Sequence, residues 1–159
     1  MKINEDIIET LEKVTYGLYV LTTKKGEEIN GMIASWVSQV SYDPPLVMVV
    51  VRKNRYTHKM IEETGVFALH ILAKEDINLV SRFKGPDPKE KFKGLKWRTK
   101  TTGAPILEQP LSYMDCKLTD SVNTGDHTLF IGQIIEAGTL KKGVPLTSVD
   151  YGKVYLGQS

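Results

Sequence analysis

Three stretches of this chain hold side chains that could do chemistry. In VVVRKNRYTHKMIEETG, Val49 to Gly65, a β-branched run ends in Arg52-Lys53-Asn54-Arg55, just ahead of Thr57. A helix starting at Thr57 presents unpaired N–H groups and the positive end of its dipole beside three cations, an arrangement that suits a phosphate dianion. A solvated basic turn with Thr57 as a simple N-cap fits the same residues. In NTGDHTLFIG, His127 opens a strand directly after a Gly125-Asp126 turn, where an imidazole can hydrogen-bond a substrate or an electron donor's amide, or can serve structure alone. In GMIASWVSQV, Gly31 to Val40, the small residues Ala34 and Ser35 leave main chain bare enough for a flat polar ring, while Trp36 reads equally as the core residue of a barrel wall.

Other chemistry finds no support. GxGxxG after a strand, GxxxxGK[ST] and GxSxG are all missing, so a nucleotide has to be held by some other device. His58, His70 and His127 are far apart and lack a metal-ligand spacing, so no metal site is expected. His70, inside FALHIL, reads as a satisfied core residue, and His58, in a first helical turn, as exposed. Cys116 is the single cysteine, which rules out an intrachain disulfide; in SYMDCKL it has strand spacing with Met114 and Leu118 and reads as buried filler.

The elements that must position these residues are mostly strands. Ile7, Ile8, Leu11 and Val14 give Asn4–Val14 the spacing of a short amphipathic helix. Strands are expected at Tyr16–Thr23, Gly31–Ser41, Leu46–Val51, Val66–Leu72, Leu111–Asp120, His127–Gly138 and Lys153–Leu156. Leu46–Val51 is too short for a helix and rich in Val, which predicts a strand buried on both faces. Helices are expected at Thr57–Glu63, stopped by Gly65, and at Glu75–Phe83; Lys84–Lys100, with GPDPKEKFKG, reads as a long surface excursion. Strands without a regular βαβ alternation point to a mainly β, six-stranded antiparallel Greek-key barrel with peripheral helices.

Composition bounds the rest. A length of 159 residues suits one domain, taken as 1–159, and 41% hydrophobic with 25% charged residues is ordinary globular composition. The net charge of +2 comes from lysines interspersed with Glu and Asp, which gives no footprint for nucleic acid. The longest apolar run, Pro44–Val51, is far short of the roughly 20 residues of a membrane helix, and MKINEDIIET has no apolar signal core; a cytoplasmic location, away from membrane, is the expectation.

Taken in order, GMIASWVSQVSYDPPLVMVVV, the Thr57-His58 pair, FALHIL, KFKG, TGAPILEQPLSYMDCKL and GDHTLFIGQI resemble the flavin reductase-like FMN-binding split barrels, over about Val14 to Val154. The resemblance is strongest to the branch with flavoredoxin and the flavin domains that feed rubredoxin-type carriers. It implies a homodimer of six-stranded split barrels, each with one FMN near the subunit interface. It places Asn30, Ala34, Ser35 and Trp36 along the isoalloxazine, with the phosphate on Asn54 and Thr57, helped by Arg52 or Lys53 and by Lys91, with Lys93 next in line. His127 would be the catalytic contact for the nicotinamide of NADH or NADPH, with Tyr151 and Tyr155 covering the same face. Hydride transfer from that nucleotide to flavin, serving a rubredoxin or a flavin-dependent oxygenase, is the implied activity; a flavoredoxin-type carrier fed by a protein donor is the alternative. The chain has Ala34-Ser35-Trp36 where many monooxygenase partners have an Asn-Ser-Phe-like run, which leaves donor and acceptor open.

Overall fold

The path of the chain through Ser35 and Trp36 determines the architecture. The structure, a computed structural model, describes residues 2–158. After a short helix α1 (Glu5–Leu11), strand β1 (Tyr19–Lys25) turns at Gly26 into β2 (Glu28–Ala34); β3 (Val37–Ser41) follows after only Ser35 and Trp36, and β4 (Leu46–Arg52) returns past Pro44 and Pro45. Beyond helix α2 (Tyr56–Thr64) come β5 (Val66–Ile71), a 3-10 turn at Lys74–Asp76, and helices α3 (Ile77–Lys84) and α4 (Pro88–Phe92). A two-stranded ribbon, β6 (Trp97–Thr99) with β7 (Pro105–Leu107), precedes the long hairpin β8 (Ser112–Thr124) and β9 (His127–Thr139).

The main sheet has the order β2-β1-β5-β8-β9-β4-β3, antiparallel throughout. Its two end strands, β2 and β3, are therefore neighbours in the chain. Laid flat, seven strands would put them about 29 Å apart at the usual inter-strand spacing. Three Cα steps from Ala34 to Val37 reach at most about 11 Å. The sheet must curl until its ends nearly meet, which makes it a barrel with a split. At the split the chain leaves its pairing with β1, Tyr19 opposite Ala34, and takes up pairing with β4, Val37 opposite Val49.

The predicted single strand Gly31–Ser41 is thus two strands, and the main sheet has seven where six were expected. The predicted strand at Lys153–Leu156 does not form; the chain there runs unpaired after helix α5 (Ser148–Tyr151). The stretch Lys84–Lys100 is not a bare surface loop either. Asp87 caps α4 by accepting from the Lys89 amide, Pro88 opens the helix, and Lys91 and Phe92 are buried, Phe92 standing edge-on against Phe83 with ring centroids 5.4 Å apart.

Two apolar layers hold the barrel. Leu21, Val47, Val49, Val51, Phe67, Leu69 and Phe130 fill the interior, plugged by Ile61 of α2. Val20, Leu72, Leu79, Val80, Phe83 and Phe92 form a second layer outside the sheet, where α3 and α4 pack. Neighbours Val20 and Leu21 point into different layers, so β1 is buried on both faces, as is β5, whereas β4 is not. In β4 only alternate residues are fully buried, because the face carrying Leu46, Met48 and Val50 is not covered by the helical layer. No helix among the described residues is long and apolar enough to cross a membrane.

Candidate functional site

A cleft of about 910 Å³ opens where the barrel splits. Ala34 and Ser35 form part of one wall, and Val50 with Arg52, at the end of β4, forms another. The start of α2 brings Asn54, Arg55 and Thr57, α4 brings Lys91, and the tail residues Lys153 to Leu156 close the far side. Among the described lining residues there are five cations and no carboxylate. Such a cavity is built for an anion.

Its cationic end is specific in detail. Helix α2 starts at Arg55 in an extended conformation with no side-chain cap bond; the His58 amide donates to the Arg55 carbonyl at 3.1 Å, and the helix entrance ahead of it has no capping side chain. Thr57 is not the N-cap that its spacing suggests; it sits inside the first turn, buried, and its hydroxyl donates to Met32 Sδ at 2.8 Å. A thioether is a weak acceptor, so that hydroxyl is readily recruited by a better one. Lys91 is 7% exposed, and its ammonium donates to the Gly31 carbonyl at 2.7 Å and to Asn30 Oδ1 at 3.2 Å. Burial, and then the neighbouring Arg55, hold its pKa below the ordinary lysine value. Arg52 Nη1 is buried without a partner among the described residues. An unpartnered guanidinium nitrogen beside an acid-free cleft is the donor an anionic ligand completes.

Gly31 makes this corner possible. A Cβ there would meet Phe83 at 2.8 Å and the Leu21 carbonyl at 3.2 Å, so only glycine lets α3 seat against β2 while offering its own carbonyl to Lys91.

Next to the ring-sized wall lies an aromatic cluster. His127 is 2% exposed, and its ring centroid is 4.7 Å from that of Trp36; Tyr155 is 5.0 Å from Trp36. Asp126 Oδ1 accepts from His127 Nδ1 at 2.6 Å, a bond that holds the Asp126 carboxyl below the usual carboxylate range, and His127 Nε2 lies 2.9 Å from the Tyr155 hydroxyl. The Trp36 indole donates to the Tyr155 carbonyl at 3.3 Å. Burial pushes the Tyr155 phenol up, while Arg55 and Arg52 nearby oppose that shift.

Of the residues singled out from sequence, Asn30, Ala34, Ser35, Arg52, Asn54, Thr57, Lys91, Tyr151 and Tyr155 line the cleft together. Trp36 and His127 stand behind Tyr155, off the open wall. Lys53 points elsewhere: its ammonium donates to the Gly125 carbonyl at 2.7 Å and its amide to the Asp126 carbonyl at 3.0 Å, so it ties down the β8–β9 turn. Lys93 is exposed, and its carbonyl accepts from Arg82. His58 is buried, contrary to the expectation of an exposed residue; its Nε2 is 2.7 Å from Thr128 Oγ1, and burial is the main cause of its lowered pKa. His70 is the satisfied core residue expected, bonded to the Val20 carbonyl at 3.0 Å and accepting from the Leu107 amide at 2.9 Å, its pKa brought down to about 4 by burial. Lys84 and Lys153 are lining residues that sequence reasoning did not find.

Comparison with known proteins agrees with this geometry. The flavin reductase like domain family matches residues 11–156. The chain is 35% identical over 153 residues to the high molecular weight rubredoxin of Moorella thermoacetica, covering 94% of this chain and 67% of that protein. It is 31% identical over 156 residues to the ferric-chelate reductase (NAD(P)H) of Archaeoglobus fulgidus, covering 96% of this chain and 92% of that one. Diflavin flavoprotein A 1 of Synechocystis is 31% identical, but the chain spans only 27% of its length. The crystal structure of the flavin reductase HpaC with NADP+ superimposes with a TM-score of 0.81 at 26% identity, covering 91% of this chain and 92% of that one. This chain is an oxidoreductase of the flavin reductase like domain family.

Proposed function

We propose that the chain binds FMN in this cleft and reduces it with NADH or NADPH, acting as one domain of 159 residues in a homodimer and passing electrons to a redox partner. The observation that carries the reading is the unpartnered, buried Arg52 Nη1 beside an acid-free cleft that Ala34 and Ser35 also line. Asn54, Arg55, Thr57 and Lys91 would hold the phosphate, and the wall at Ala34 and Ser35, with Asn30 nearby, would orient the ring edge. When bound, the flavin would supply a two-electron acceptor for the hydride of NADH or NADPH. The protein's own part is alignment and exclusion of water by Val50 and Tyr151, with His127 as the contact for the nicotinamide carboxamide.

The relative named as a rubredoxin and those named as diflavin flavoproteins support a protein acceptor of the rubredoxin type, and an oxygenase fed by reduced flavin is the other acceptor that fits. Dependence on nicotinamide nucleotide suits the cytoplasm. A second reading is favoured by one observation: His127 is covered by Tyr155, as fits a carrier that takes electrons from a protein and never meets the nucleotide.

Anaerobic spectroscopy separates the two. Protein loaded with FMN is expected to bleach on addition of NADH or NADPH at catalytic rates. Bleaching by dithionite or a protein donor alone refutes the reductase and leaves the carrier.

A further inference from the structure

Residues 153–158 form a tail with no regular structure that lies along the cleft. Beyond Gly152 no backbone–backbone hydrogen bond holds it among the described residues. What does hold it is concentrated on the aromatic cluster. The Tyr155 carbonyl accepts from the Trp36 indole, and the Tyr155 hydroxyl meets His127 Nε2. Gly157, at φ 96°, packs so closely that a Cβ there would stand 3.0 Å from the Trp36 ring and 3.2 Å from His127 Cε1.

The Asp126–His127–Tyr155 chain has a definite direction. A carboxylate only accepts, so Asp126 holds a proton on His127 Nδ1, which in the uncharged ring leaves Nε2 free of one. Nε2 is then an acceptor, and the donor it receives is the Tyr155 O–H. Toward that nitrogen a phenol O–H and a carboxamide N–H are interchangeable partners.

We propose that Tyr155 is a positioning residue that occupies the nicotinamide contact from within: its hydroxyl satisfies His127 Nε2 until the carboxamide of the dinucleotide displaces it, and the tail swings clear. This rests on the reductase reading above. Asp126 keeps the tautomer ready throughout, and Tyr155 spares the buried imidazole an unsatisfied acceptor while the site waits. The tail thereby sets nucleotide affinity and excludes water from the ring wall between turnovers.

The test uses the full chain with FMN in saturating excess and labelled histidine side chains, the His127 signals being assigned with a His127→Asn variant. Without nucleotide, wild-type His127 is expected as the Nδ1–H tautomer. Titration with NAD+ or NADP+ should shift Nε2 while leaving Nδ1 protonated. Tyr155→Phe keeps the indole–carbonyl bond and removes only the competing hydroxyl, so it should bind nucleotide about fivefold more tightly, and the KM for NAD(P)H should fall more than kcat changes. Gly157→Ala, which strains the closed tail, should move affinity in the same direction. A His127 signal indifferent to nucleotide, or unchanged or weaker nucleotide binding by Tyr155→Phe, overturns the proposal even where NAD(P)H bleaches the flavin. Absence of bleaching in wild type and both variants overturns the reductase reading, and this inference with it.

Discussion

Lys91 offers a sharp test of where the flavin phosphate lies, because its other job can be subtracted. Its ammonium has three N–H donors, and two are spent within the protein, on the Gly31 carbonyl and on Asn30 Oδ1. One remains for a ligand. Lys91→Met removes all three, so it disturbs the Gly31 corner for any ligand but removes a phosphate contact only for a phosphorylated one. Riboflavin and FMN differ by that phosphate alone. A charge-assisted hydrogen bond is worth about 1.5–3 kcal/mol, so FMN should lose about 10- to 150-fold more affinity than riboflavin does. Quenching of flavin fluorescence on titration into wild-type and variant protein measures all four dissociation constants.

The same contact has a pH signature. Burial and Arg55 lower the Lys91 pKa in the free protein, and a bound phosphate favours the charged form and raises it again. FMN affinity is therefore complete below the free-protein pKa and declines as pH rises through it, beginning below the ordinary lysine range. Riboflavin affinity should show no such decline, and neither should FMN with Lys91→Met. Equal loss for both ligands would make Lys91 a structural buttress for Gly31 alone and would move the phosphate elsewhere in the cleft.

Three other outcomes follow from single residues. Arg52→Met removes the unpartnered buried donor, so the flavin-free protein should gain on the order of 1 kcal/mol in urea unfolding while FMN binding weakens; a loss of stability would show that Arg52 already has a partner. His70 is buried neutral, with a pKa of about 4 against an ordinary 6.5; its share of stability is complete above 6.5 and is lost as pH falls toward 4, up to about 3 kcal/mol at ~1.4 kcal/mol per pH unit. His70→Gln should flatten that part of the curve in denaturant titrations at pH 7 and 4.5, and an unaltered slope would refute it. Burial pushes the Cys116 thiol up to about 12, so a maleimide should label it only after unfolding; labelling of native protein would contradict the core packing.

How far the sequence disclosed this site depends on the range of the interactions involved. The β-branched run ending at Arg52, the helix stop at Gly65 and the turn before His127 are local patterns, and each falls where its spacing placed it. Thr57 was legible as a residue of the helix entrance, though as its N-cap, and not as a partner of Met32, since that contact joins residues 25 apart in the chain. His58 looked exposed because its first-turn position says nothing of Thr128, 70 residues away on β9. The same holds for Lys53: its charge was visible, but the carbonyl of Gly125 that captures it was not. The split at Ser35-Trp36 was hidden for a different reason. Gly31–Ser41 reads as one extended run in the sequence, and only closure of the whole sheet requires the chain to bend and change partners there, the Val37 amide donating back to the Ser35 carbonyl at 3.0 Å.

That closure also explains why one short segment serves fold and site together. Where the chain leaves β1 and joins β4, Ser35 and Trp36 belong to neither strand, and Ser35 is left lining the cleft. A large side chain at Ser35 would intrude on the cleft that the split creates and one at Ala34 would press into the barrel interior, whereas Trp36 gives the tail something to close on. A barrel without the split would pair these groups with neighbouring strands and leave no edge for a flat ring. The opening that receives the ligand is thus a consequence of joining two end strands by two residues, and the cations of Arg52 and Arg55 lie beside it because β4, the strand that β3 joins, ends there.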